Sequence, residues 1–219
     1  MTIIKISGKF VSPIDNPLVE EYSRVVNNLI EEGLVRGVVV GGGSIARKYI
    51  ALAPPNKSLQ DYLGIEVARL NATLLALRID RACLPVPKSV EEALVCIRSG
   101  RVPILGGLQP GQSTNAVSLI LAELSGSKLV VNATTVDAVY DKPPEEPGAK
   151  KLEKVTVDEL KDILSSAWRN EPGRYELMDD VALSIAKRSK IKIGIVDGSD
   201  PYNVLRAVKY GEFGTIILP

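Results

Sequence analysis

The 219-residue chain is 45% hydrophobic and carries a formal net charge of +1. That length and apolar content suffice for one α/β domain or two small lobes, and near-neutrality predicts no nucleic-acid or bilayer-binding face. No apolar run approaches the roughly 20 residues of a membrane span, and the amino terminus lacks a secretory pattern, so a cytoplasmic location is expected.

In chain order, residues 2–6 read as a strand. Leu18, Tyr22, Val25, Val26, Leu29 and Ile30 follow at helical spacing, with Gly33 placed to end that helix. Residues 35–40 form the next strand, and a helix starts at Ser44, breaking at Pro54-Pro55. Residues 58–79 read as a long helix with Leu59, Leu63, Val67, Leu70, Leu74 and Leu77 along one stripe. Short strands at 84–86 and 102–105 flank a helix over 90–98. Beyond them come a strand at 128–132 and a proline- and charge-rich excursion or hairpin at 136–154. Helices at 157–165 and 181–189, a strand at 191–196, a helix from Pro201 and a strand at 215–218 complete the pattern. Alternating strands and helices predict a three-layer α/β sandwich around a central, mainly parallel sheet. No linker separates two independent domains.

Glycine-rich segments follow three of the apolar runs: Ser7-Gly8-Lys9, Gly41-Gly42-Gly43-Ser44 and Gly106 to Thr114. Glycine admits close backbone approach, and the N–H groups of a helix start bind anions. Several phosphates held together, and hence phosphoryl transfer, is the chemistry this predicts. The sequence contains no histidine, which removes a Ser-His or Cys-His pair, a histidine-bound metal and a histidine base. Phosphoryl transfer survives that exclusion because its catalysis is mostly positioning and charge stabilisation. A phosphate acceptor, with a second pKa of about 6, needs no catalytic base. Cys83 and Cys96 suit neither a zinc site nor a disulfide scaffold and are expected as small apolar residues near or in the core, with a disulfide of the kind found inside hyperthermophile cells left open as the alternative.

An ordered set of segments carries a resemblance running nearly end to end. It comprises Lys5-Ile6-Ser7-Gly8, Gly41 to Arg47, Asp61-Tyr62-Leu63-Gly64, Gly106 to Thr114 and Thr134 to Tyr140. Together they resemble the amino acid kinase superfamily, and within it the archaeal type of uridylate (UMP) kinase. The resemblance implies transfer of the γ-phosphoryl group of ATP to UMP with Mg²⁺, in pyrimidine nucleotide biosynthesis. It implies a UMP-binding half at about 1–125 and an ATP-binding half at 126–219 of one domain. It also implies a homohexamer built as a trimer of dimers, with UTP as an inhibitor.

Residue by residue, Lys5, Lys9 and Arg47 are the candidate catalytic cations. Gly8, Lys9, Gly43, Arg47, Thr134, Thr135 and Tyr140 match the ATP side. Gly42, Asp61, Leu108, Gln109, Pro110, Gly111, Gln112, Ser113 and Thr114 match the UMP side. No protein metal ligand is assigned, since Mg²⁺ would be held through phosphates and water. Each assignment has a plainer counterpart: an edge-strand lysine, a solvated arginine, or an acidic residue favoured in a first helical turn by the dipole. Arg69 suits either the acceptor phosphate or a surface ion pair. Asp137 suits Mg²⁺, a lysine or its own turn, and Lys187 a surface position. The chain departs from the pattern at Ala138, where glycine is usual, and at Pro143-Pro144, where aspartate precedes proline. Asp141 is a candidate substitute for that aspartate. The alternatives are a kinase for another small acceptor (a carbamate, acetylglutamate or isopentenyl phosphate) and a non-catalytic nucleotide-binding or storage protein. The isopentenyl phosphate type uses a histidine that this chain lacks.

Overall fold

The structure, a computed structural model, describes residues 1–12, 17–143, 146–166 and 177–219. Strand β1 (Thr2–Ile6) is buried along its whole length. Such a run, without polar alternation, belongs in the middle of a sheet covered on both faces. There it pairs in parallel with β2 (Val35–Val40) on one side and β4 (Leu129–Thr134) on the other. The seven-stranded sheet is completed by β3 (Ile104–Leu105), β7 (Lys154–Thr156), β8 (Lys192–Asp197) and β9 (Thr215–Leu218), in the order β3-β2-β1-β4-β8-β9-β7. The strands from β3 to β8 run parallel. β9 is antiparallel to β8, and β7 runs parallel to β9. A small hairpin of β5 (Val139–Tyr140) and β6 (Lys151–Leu152) stands apart.

Helices cover both faces. Ile4 and Ile6 of β1 join Tyr22 and Leu29 of α1 (Val19–Glu31), Leu75 of α3 (Lys57–Ala76) and Val204 of α8 (Tyr202–Tyr210) in one core. Ile3, on the opposite face, joins Leu119 and Leu121 of α5 (Thr114–Ser125), Leu160 of α6 (Val157–Ser166) and Leu183 of α7 (Asp180–Ser189) in the other. By strand alternation Lys5 shares the face of Ile3. Helices α2 (Gly43–Leu52) and α4 (Val90–Arg98) complete the layers. Among the described residues, no helix is long and apolar enough to cross a membrane.

Three expectations are corrected. The leucine stripe of α3 is not its buried face: Leu59, Leu70 and Leu77 are 50%, 69% and 63% exposed. The sheet side carries Ile65, Ala68, Ala72, Leu75 and Ala76 instead. Small residues bring the helix close to the strands, so periodicity identified a stripe but residue size chose the wrong one. Residues 84–86 form no strand; the pairing there is a single bridge between Ala82 and Val102. Cys83 and Cys96, expected as free apolar residues, form a disulfide with Cα atoms 6.0 Å apart. A 13-residue separation in sequence says nothing about that distance, which the packing of α4 against the 77–88 segment decides. The 136–154 excursion does contain a hairpin, while β7 was not anticipated.

Candidate active site

The carboxyl ends of β1, β2, β3, β4 and β8 all lie on one edge of the sheet, where open α/β folds bind ligands. At that edge the first two glycine segments touch through their backbones. A Cβ on Gly8 would lie 2.2 Å from the Gly41 carbonyl oxygen and 2.4 Å from the Gly43 nitrogen. Gly43 has φ of +69°, and a Cβ there would meet Gly8 at 2.7 Å. Only glycine permits this contact, so the two motifs form one backbone floor leading into α2. Asn71, buried in α3, fastens the floor by donating to the carbonyls of Gly41 at 2.9 Å and Gly42 at 3.2 Å. Phe10 and the Tyr22 hydroxyl press on Gly198 after β8, and that hydroxyl donates to the Gly198 carbonyl at 2.7 Å.

The candidate cations differ in setting. Lys5 is 8% exposed, and burial lowers its pKa to about 8, while the Asp179 carboxylate acts in the opposite direction. Lys9 and Arg47 are exposed, with Arg47 on the first turns of α2 just beyond the glycine floor. Asp179, absent from the sequence assignments, caps α7 by accepting from Ala182 N–H at 3.0 Å. It also accepts from the Ser113 hydroxyl, and Ser113 in turn caps α5 by accepting from Ala116 N–H at 3.0 Å. One carboxylate therefore joins the starts of two helices and sets the charge around Lys5. Asn132, the register partner of Lys5 on β4, is buried with its carbonyl oxygen unpartnered, as is that of Asn115 on α5. An Asp-Asp pair before the apolar stripe of α7 was the available signal for Asp179, since N-caps are often Asp.

Two hollows open from this centre. One, of about 180 Å³, is lined by Gly42, Gly43, Asp61, Gly107, Gln112 and Thr114 among others. Residues assigned to the UMP side thus converge there, and Asp61 Oδ2 accepts the Gly111 N–H at 2.9 Å. Leu108, Gln109, Pro110, Gly111 and Ser113, also assigned to the UMP side, do not line this hollow. The other, of about 210 Å³, is lined by Asp137, Lys151, Asp197, Asn203, Arg206, Phe213 and Gly214 among others. Of the segment 134–140 only Asp137 borders it, so Thr134, Thr135 and Tyr140 sit beside rather than in its lining. Sequence reading missed the residues after β8 and before β9, whose motifs are short.

Asp137 accepts from the Tyr140 hydroxyl at 3.2 Å and from Lys151 Nζ at 3.2 Å. Asp141 is exposed at the hairpin, where its Oδ1 accepts the Lys150 N–H at 2.8 Å. Pro143 sits in the turn, its carbonyl accepting from Glu146 N–H at 2.9 Å. Pro144 lies outside the described residues. Lys187 pairs with Asp158 at 2.7 Å on the surface.

Interlocked glycine turns, a buried lysine with a carboxylate acting on it and two hollows together make up this edge of the sheet. The chain belongs to the amino acid kinase family, whose sequence profile it matches over residues 1–197. It is 56% identical to a uridylate kinase of Ignicoccus hospitalis, covering 99% of this chain and 98% of that one. The crystal structure of uridylate kinase from Archaeoglobus fulgidus superposes with a TM-score of 0.86 at 33% identity, over 99% of both chains. UMP kinase from Ureaplasma parvum, at 18% identity and a TM-score of 0.77, shares the fold.

Proposed function

We propose that the chain transfers the γ-phosphoryl group of ATP to UMP, giving UDP and ADP. The observation that carries this reading is the convergence of Gly42, Asp61, Gly107, Gln112 and Thr114 on one hollow beside the shared Gly8–Gly43 floor. End-to-end similarity to uridylate kinases supports it. UMP occupies that hollow, with its phosphate toward the glycine floor. ATP occupies the side of Asp137, Arg206 and Gly214, so the halves at 1–125 and 126–219 divide the two nucleotides between them.

A dianionic UMP phosphate oxygen attacks the γ-phosphorus, the bond to the β,γ-bridging oxygen breaks, and ADP leaves with that electron pair. No proton has to be removed from the nucleophile. Amides of the glycine floor and the charges of Lys5, Lys9 and Arg47 offset the negative charge of the transferring group. Asp179 keeps Lys5 charged against its burial. Gly8 and Gly43 supply the floor, while Thr134, Thr135 and Tyr140 flank the donor side. Mg²⁺ bound with ATP would supply positive charge to offset that of the phosphates. Among the described residues no group of three or more Asp, Glu, His or Cys forms a cage for it. A metal bound with the nucleotide would be held chiefly through phosphate oxygens and water.

The exposed leucine row of α3 is an apolar face of the kind buried between subunits, which supports a homo-oligomer, with a homohexamer as the reading. UTP is the expected inhibitor. A cytoplasmic place in pyrimidine nucleotide synthesis completes the proposal. Turnover with ATP and Mg²⁺ against UMP, CMP, AMP, GMP and acetylglutamate tests it: UMP should be preferred. Robust transfer to acetylglutamate, or none to UMP, would overturn it.

A further inference from the structure

Asp61, Ile65 and Arg69 fall four residues apart on α3 and so share one face of the helix. The segment 106–111 lies directly on that face. A Cβ on Gly106 would stand 2.4 Å from the Arg69 backbone nitrogen, and one on Gly107 would stand 2.7 Å from Ile65 Cγ1. At the far end of the face, Asp61 holds the Gly111 N–H. At the near end, Arg69 turns its guanidinium onto the same segment.

Arg69 Nε donates to the Gly107 carbonyl at 3.1 Å, and Nη2 donates to those of Leu108 at 3.0 Å and Lys88 at 3.2 Å. Nη1 pairs with Glu66 at 2.6 Å, and the side chain is only 15% exposed. A guanidinium has five N–H donors, and these contacts engage four of them. Among the described residues, the Gly107 and Leu108 carbonyls accept from no other donor. Neither a phosphate contact nor a simple surface ion pair describes this arrangement. The group is committed to the protein rather than to a phosphate, and the Glu66 pair is only one of its four contacts.

We propose that Arg69 is a positioning residue for the acceptor hollow, acting through the backbone of Gly107 and Leu108. This deepens the reading of that hollow as the UMP site and rests on it for the kinetic part of the test. A carboxylate at one end of the α3 face holds an amide, and a guanidinium at the other holds two successive carbonyls. The intervening Leu108–Gly111 arch is thereby stretched between fixed points, which places Gln112 and Thr114 at the wall of the hollow. The contact with Lys88 ties the arch to the stretch closed by the Cys83–Cys96 disulfide.

The test uses Arg69→Lys and Arg69→Met in the full chain. Amide hydrogen exchange over residues 107–112 is measured without nucleotide, and KM is measured for UMP and ATP separately. We expect faster exchange across that segment in both variants. KM for UMP should rise on the order of tenfold, the loss of about one net charge-assisted hydrogen bond, with KM for ATP within twofold. Lysine should not restore the wild-type value, because an ammonium cannot span several carbonyls as the planar fork does. Unchanged exchange in a folded variant overturns the proposal. So does an equal rise in both KM values accompanied by a lower Tm. Wild-type protein that is inactive with UMP refutes the acceptor reading alone; the exchange data then decide the role of Arg69 by themselves.

Discussion

Asp179 is the counter-charge of Lys5. The lysine is buried at the end of β1, where desolvation favours its neutral form, and the carboxylate at the start of α7 favours the charged one. Desolvation is the larger effect, leaving the pKa at about 8 against a usual value of 10.5. Below about pH 8 both folded and unfolded chains carry the proton, and the folded state bears the full cost of the buried charge. Between about 8 and 10.5 the unfolded chain binds more protons, so this contribution makes stability rise with pH. The cost at pH 7 is on the order of 3 kcal/mol. Lys5→Met should therefore stabilise the nucleotide-free protein by up to about that amount at pH 7 and much less near pH 10. It should also abolish turnover. Urea denaturation of both proteins at the two pH values is the measurement, and a destabilised variant would contradict the assignment.

The same residue shapes the pH profile of kcat/KM. An acidic limb near pH 6 should follow the second ionisation of UMP phosphate. An alkaline limb near pH 8 should follow Lys5 of the free enzyme, which acts by its charge and not as a base. In Asp179→Asn the counter-charge is gone, so the alkaline limb should move to lower pH. A limb that stays in place would mean that another group titrates there.

Arg47 is exposed on the first turns of α2, just beyond Gly43, and its proposed role is to offset phosphate charge. Arg47→Ala should lower turnover about 10- to 150-fold, the equivalent of 1.5–3 kcal/mol for a charge-assisted contact. Stability should change by no more than about 0.5 kcal/mol. Steady-state kinetics alongside thermal melts separate the two effects. An unchanged rate would return the residue to an ordinary solvated position.

The disulfide closes a short loop between residues 83 and 96. A loop of this length restricts the unfolded chain by about 3 kcal/mol, or on the order of 5–10 °C in Tm for a chain of this size. Circular dichroism melts with and without reductant, and of Cys83→Ala with Cys96→Ala, should show that loss. Coincident melts would mean that the bridge contributes nothing to stability.

Much of this protein was determined by its sequence alone. Predominantly apolar, strand-length runs such as 2–6 and 35–40 point to strands of a covered sheet, and the glycines that follow at 8 and 41–43 admit close backbone approach. Both signals are local, so the parallel sheet and the glycine-lined strand ends are legible in the order of residues itself. What tertiary structure decided depends on atoms distant in sequence. Ile65, Leu75 and three alanines, not the leucine stripe, line the buried side of α3 because the strands lie close beneath it. Cys83 reaches Cys96 only because α4 packs beside the 77–88 segment. Asp179, 174 positions from Lys5, becomes its partner only when α7 settles on the face of β1 that Lys5 shares with Ile3. Arg69 reads as a contact for the acceptor phosphate or a surface ion pair until the 106–108 segment lies on its helix and offers it the carbonyls of Gly107 and Leu108. A periodic pattern names the face of an element, but the partner of a charge is set by the packing that removes it from water.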